Sequence, residues 1–131
     1  MGLLEASRFA QPHKNDHRIE VNGSAGSLRF SLERLNELQI QFEDDRGFQT
    51  VLVTDPEDPY VEVWWPPGHV IGWEHAFVHE NYEFMSAIEA DETFHPHVGD
   101  GLTTQRVLAA ITESDDTGEW VDVPDPAPPP G

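Results

Sequence analysis

The sequence holds seven histidines, four tryptophans and no cysteine, so imidazole, indole and carboxylate chemistry are available and thiolate chemistry is not. His75 and His79 are four residues apart, a spacing that puts both on one face of a helix and toward one metal ion. The run His-Ala-Phe-Val-His lacks the internal Glu of an H-E-x-x-H zinc motif, and spacing supplies no third ligand. The expectation is therefore two histidines at a helix surface or core edge, with no metal. His95-Pro96-His97 stands near Asp91, Glu92 and Asp100 and reads as a solvated turn. Residues 55–72 carry Tyr60, Trp64, Trp65 and His69 among Pro56, Pro59, Pro66, Pro67, Gly68 and Gly72. A loop of that length inside a small domain is usually functional or partly disordered, and its aromatics suggest a surface that something covers. No G-x-S-x-G elbow is present, so a serine triad is not indicated.

The elements that must position these residues follow from periodicity. Residues 4–9, 17–22, 27–32, 38–42 and 48–53 alternate apolar and polar side chains or resemble strands. Gly23-Ser24-Ala25-Gly26 turns the second into the third, and Asp44-Asp45-Arg46-Gly47 turns the fourth into the fifth. Short connections make them antiparallel, with one apolar and one polar face. Helical spacing of Phe77, Val78, Phe84, Met85 and Ile88 predicts a helix over 73–90. A second is predicted over 101–114, with Asp100 as its N-cap and Gly118 ending it. Residues 119–123 read as a short last strand. Five prolines lie between Pro124 and Gly131, which predicts an extended, disordered tail. The fold class is α+β: an open, mostly antiparallel sheet with two main helices packed on one face.

There are 25 acidic residues against 7 basic ones, a net charge of −18. Such a surface repels nucleic acid and anionic membranes. The acids are spread along the chain and lysine is confined to Lys14, a pattern that favours a salt-rich, halophilic cytoplasm over one acidic docking face. No apolar run reaches membrane-spanning length. Met1 to Pro12 lacks a basic leader and contains Glu5, which points to a cytoplasmic protein.

Four segments, in register, resemble the C-terminal α/β domain of the Gfo/Idh/MocA oxidoreductases. Gly2-Leu3-Leu4-Glu5-Ala6-Ser7-Arg8 is similar to its G-x-x-E-x-S-R strand. Ile19 to Leu28 looks like its I-x-G-x-x-G-x-L hairpin, and Gly68 to Phe77 resembles a loop and helix start found in sugar and inositol dehydrogenases. Asp100-Gly101-Leu102, Gln105-Arg106-Val107-Leu108, Ser114, Gly118 and Trp120-Val121 are similar to the closing helix and strand. The resemblance covers residues 1–123 as one domain, leaving 124–131 as the tail.

It implies the substrate-side and oligomerisation part of a sugar or polyol dehydrogenase whose NAD or NADP sits on a separate Rossmann domain. It also implies that Trp65, His69, Trp73 and His75 approach the substrate. Aromatic faces suit apolar sugar faces, and imidazoles suit hydroxyls. The family's E-K-P lysine and its acid/His pair have no counterpart here, since Lys14 lies in a Pro-His-Lys-Asn turn. The expectation is no catalytic residue and no cofactor-binding or metal-binding residue in this chain. The start inside a strand motif reads as a truncated or split reading frame. The expected partners are a second copy through the open sheet face, or a separate Rossmann chain, and a sugar. Two other functions compete: a non-catalytic homodimerising module, and a small metal enzyme built on His75 and His79.

Overall fold

In a computed structural model of the chain, residues 2–124 are described. Two compact units divide it, residues 1–79 and 80–131. The first holds a four-stranded antiparallel sheet in the order of the sequence: β1 Arg18–Asn22, β2 Gly26–Ser31, β3 Glu37–Phe42 and β4 Gln49–Leu52. Helix α1, Trp73–Ala90, runs from this unit into the second, which also holds α2, Val98–Thr117.

The strand register is the one that alternation predicts. Ile19 pairs with Phe30, Val21 with Leu28, Leu28 with Ile40, Phe30 with Leu38 and Leu38 with Val51. These residues share one face, because opposed residues in a ladder point the same way. Glu20 and Arg29 are opposed on the other face and form an ion pair at 2.8 Å, and the Arg29 guanidinium also lies 4.4 Å from the Phe48 ring centre. The apolar face stays open: Ile19 is 55% and Val21 47% exposed. Among the described residues the buried hydrophobic ones are Val61 in the first unit and Ala110 in the second.

The turn between β1 and β2 closes with the Gly23 amide donating to the Gly26 carbonyl at 2.9 Å. Gly26 has φ +154°, and a Cβ there would collide with the Gln41 carbonyl of β3. A glycine is needed where one strand's backbone comes this close to the next.

Three details differ from the sequence expectation. Residues 4–9 and 119–123 form no strand. A strand exists only where another chain segment takes its backbone groups, and alternation cannot supply that partner. Leu3, Phe9 and Trp120 are correspondingly almost fully exposed, and Leu4 largely so. Helix α2 begins three residues earlier than expected. His97, not Asp100, is its N-cap, and Asp100 completes a reciprocal capping box from position N3. The aspartate satisfies the His97 amide at 2.7 Å, which is what the third residue of a capping box does. At the other end Gly118 caps with φ +69°, its amide donating to Ser114 O at 2.9 Å, as expected. The proline-rich tail, from residue 125 on, lies outside the described residues.

Ahead of β1 a clip holds the chain. Glu33, in the 3₁₀ turn Leu32–Arg34, accepts from the Lys14 and Asn15 amides at 2.6 and 3.0 Å and lies 3.1 Å from His13 Nδ1. Those amides, then His13, lower its pKa from 4.5 to about 2. A depressed folded-state pKa adds stability above the ordinary value and loses it as pH falls through the folded one. Acidification from pH 4.5 to about 2 should therefore release the clip. Amide exchange at Lys14 and Asn15 should accelerate in that window, and Glu33→Gln should remove the transition.

Candidate functional site

The long loop after β4 is tied to the sheet by one side chain. Asn36, just before β3, donates from Nδ2 to the Ile71 carbonyl at 2.8 Å and accepts the Ile71 amide on Oδ1 at 2.9 Å. The amide side chain thus stands in for a strand neighbour and satisfies both backbone groups of Ile71. The Asn36 carbonyl takes the Val53 amide at 3.0 Å, so the residue joins the end of β4 to the segment leading into α1. A groove of about 450 Å³ opens beside it, with Leu35, Leu52, Val70 and Trp73 in its wall.

Between Pro59 and His79 the loop packs its aromatics on two histidines of α1's first turns. Trp64 meets His75 edge-on at 4.5 Å, Trp65 meets the same ring at 5.2 Å, and Tyr60 stacks on His79 at 4.3 Å. Trp64 Nε1 donates to His79 Nε2 at 2.7 Å. The Gly72 amide donates to His75 Nδ1 at 3.0 Å, and His75 is buried.

These donors choose the tautomers. His79 accepts on Nε2, and His75 accepts on Nδ1 and keeps Nε2–H as a donor. Each of these lone pairs is engaged by an N–H donor of its own. Tyr60 holds a left-handed backbone with φ +69°, strained for a bulky side chain. Its stack on His79 and the 3₁₀ turn Val61–Val63 that follows, with Val61 buried, hold it there.

Of the four residues that the resemblance implies, Trp65 and His75 come together in this cluster. His69 and Trp73 do not. The His69 ring bonds back to the Pro66 carbonyl at 2.8 Å. Trp73 meets Phe77 edge-on at 5.6 Å and lines the groove beside Asn36. Tyr60, Trp64 and His79 complete the cluster and were not among the four. Their signal was present in the sequence: two aromatics inside a proline-rich loop, and a histidine one helical turn beyond His75.

The profile of the oxidoreductase family's C-terminal alpha/beta domain, Gfo/Idh/MocA, matches residues 1–123. The chain belongs to this family. It is 38% identical over 129 residues to levoglucosan dehydrogenase of Pseudarthrobacter phenanthrenivorans, an alignment that takes in 95% of this chain and 33% of the relative. Among solved structures, an oxidoreductase domain protein from Kribbella flavida aligns with a TM-score of 0.86 and 42% identity over 91% of this chain and 33% of its own. Levoglucosan dehydrogenase in complex with NADH and L-sorbose aligns with a TM-score of 0.83 and 36% identity, over 91% of this chain and 33% of that one. The chain thus spans about a third of the length of the relatives it matches, and corresponds to their C-terminal domain. The fold expectation stands: an open antiparallel sheet with two helices.

Removing the Asn36 amide should loosen the loop and the cluster behind it. Asn36→Ala leaves the Ile71 amide and carbonyl without their partner, at a cost of about 1–3 kcal/mol. Urea unfolding followed by tryptophan fluorescence should show that loss, with a changed native emission from the aromatic loop. A midpoint equal to that of the parent would refute the tether.

Proposed function

We propose that the chain is the substrate-side C-terminal part of an NAD(P)-dependent sugar or polyol dehydrogenase, inositol-like substrates included. In the complete enzyme it walls the sugar cleft and contributes an oligomer interface. It does not turn over alone. The observation that carries this reading is the likeness, across nine-tenths of the chain, to a dehydrogenase solved with NADH and with the sugars levoglucosan and L-sorbose.

The chain's own residues suit that role. Trp65 offers a flat apolar face beside the His75 imidazole, the pairing that binds a sugar's C–H face and its hydroxyls together. The Gly72 amide fixes His75 with Nε2–H as a donor, so it can hold a hydroxyl oxygen without taking its proton. His69 and Trp73 lie in the same loop and helix start and extend the wall. Gly23 and Gly26 close a hairpin between β1 and β2 and open no helix, so they do not fit a dinucleotide pyrophosphate. The dinucleotide is carried outside the described residues, on a Rossmann domain of the same or another chain, and supplies the hydride acceptor there.

A second reading, a non-catalytic homodimerising module, is favoured by the exposed apolar face of the sheet around Ile19, Val21 and Leu28. Both readings place the protein in a salt-rich cytoplasm, as its charge of −18 suggests. None of the described helices is long and apolar enough to cross a membrane.

A chimera in which residues 1–123 replace the matching third of levoglucosan dehydrogenase tests the first reading. Trp65→Ala and His75→Gln should each raise KM for levoglucosan roughly tenfold, with a smaller change in kcat, as loss of uniform binding predicts. The chain alone should neither bind NADH nor oxidise the sugar. Parental KM in both variants would remove this cluster from the cleft. Turnover by the isolated chain would overturn the division of labour.

A further inference from the structure

The second unit holds a group of side chains that the proposed dehydrogenase role does not use. His95 and His97 flank Pro96, and Asp100 lies in the first turn of α2. Their nearest ligand atoms all fall within 4.8 Å of one another. His97 Nδ1 is 2.9 Å and His95 Nδ1 3.6 Å from the same Asp100 oxygen, and the two imidazoles face each other at 4.7 Å. Bonds of about 2.0–2.1 Å to a tetrahedral zinc-like ion place its ligand atoms roughly 3.3 Å apart. The observed separations bracket that value.

The His97 ring nitrogen is claimed twice. It accepts the Asp100 amide at 3.2 Å, so it presents a lone pair, yet the Asp100 carboxylate oxygen lies 2.9 Å away. Two acceptors at that distance repel unless a cation or a proton sits between them. A metal ion there would draw the His97 lone pair without stranding the Asp100 amide, which also reaches the His97 carbonyl at 3.0 Å.

Gly99 is the second observation. A Cβ on it would come within 2.7 Å of His97 Cε1. Glycine in a helix's first turn is otherwise unfavourable, and here its bare face leaves the imidazole room to fold over the helix start. The positive end of the α2 dipole opposes a cation by less than about tenfold in affinity. The negative Asp100 carboxylate among the ligands offsets this, as does the strongly negative chain.

We propose that His95, His97 and Asp100 form a site for one divalent transition-metal ion of the zinc class, pinning the loop before α2 to its first turn. Two imidazoles and a carboxylate suit such an ion, and coordination positions remain for water or a further ligand. The other cluster, His13 with Asp16 and Glu33, is a poorer site. Its Glu33 is already held by two backbone amides and its Asp16 by Ser31 and Arg18.

The test is calorimetric titration of the chelator-stripped full chain with zinc chloride, with stoichiometry read by native mass spectrometry. His97→Asn keeps a good helix cap and removes the imidazole; His95→Gln removes the other. Circular dichroism confirms that helix content is kept. One equivalent of zinc should bind the parent, roughly tenfold or more weaker in each variant and unchanged in His13→Gln. The proposal is overturned by parental affinity in either variant, by a loss in His13→Gln instead, or by a parent that binds no zinc below about millimolar concentration, which would leave helix capping alone as the account of the cluster.

Discussion

The pair of hydrogen bonds between Asn36 and Ile71 is the constraint on which the aromatic site depends. Residues 55–72 contain no strand to hold them, and a loop of this length has many conformations to lose. A primary amide can donate and accept at once, so one side chain satisfies both backbone groups of Ile71. That fixes the chain one residue before Gly72, whose amide then reaches His75. The strands fix Asn36, Asn36 fixes Ile71, and Ile71 sets where α1 starts.

Beyond that point the site is ordered by N–H donors. The indole of Trp64 and the amide of Gly72 each select one nitrogen of a histidine, leaving the two imidazoles in opposite tautomers four residues apart on one helix. Spacing alone allowed a shared metal ion. In the structure each accepting nitrogen has its own N–H donor, Trp64 for His79 and Gly72 for His75. At His95 and His97 the ring nitrogens instead converge on one carboxylate oxygen.

The charge and the exposed apolar surface answer different needs. Carboxylates spread along the chain give a net charge of −18 and favour a hydrated surface. The apolar face of the sheet and the stripe of Phe77, Phe84, Met85 and Ile88 on α1 are exposed, although their periodicity is that of buried faces. In the proposed enzyme this apolar surface is where the rest of the dehydrogenase, or a second copy, would pack.

How much was legible in the sequence depended on the range of the interaction. Alternation set β1 to β4 and their faces, glycines marked the Gly23 and Gly118 turns, and 3.6-residue periodicity gave α1 its full extent, because each is a property of neighbouring residues. The segments at 4–9 and 119–123 read as strands and are not, since a strand is completed by a partner's backbone. The start of α2 was misplaced because both His97 and Asp100 can cap, and only their reciprocal bonding decides which one does. Motif order was enough to indicate the family, and the aromatics and histidines of the site were visible as residue types. Their sorting was not: Trp65 and His75 meet while His69 and Trp73 turn elsewhere. The sequence by itself determined the four strands, the extent of α1, the charge and the family. Only the tertiary structure decided which side chains face one another and which nitrogen of His79 is engaged, because those depend on contacts between residues far apart in the chain, such as Trp64 and His79, 15 positions apart, and Asn36 and Ile71, 35 positions apart.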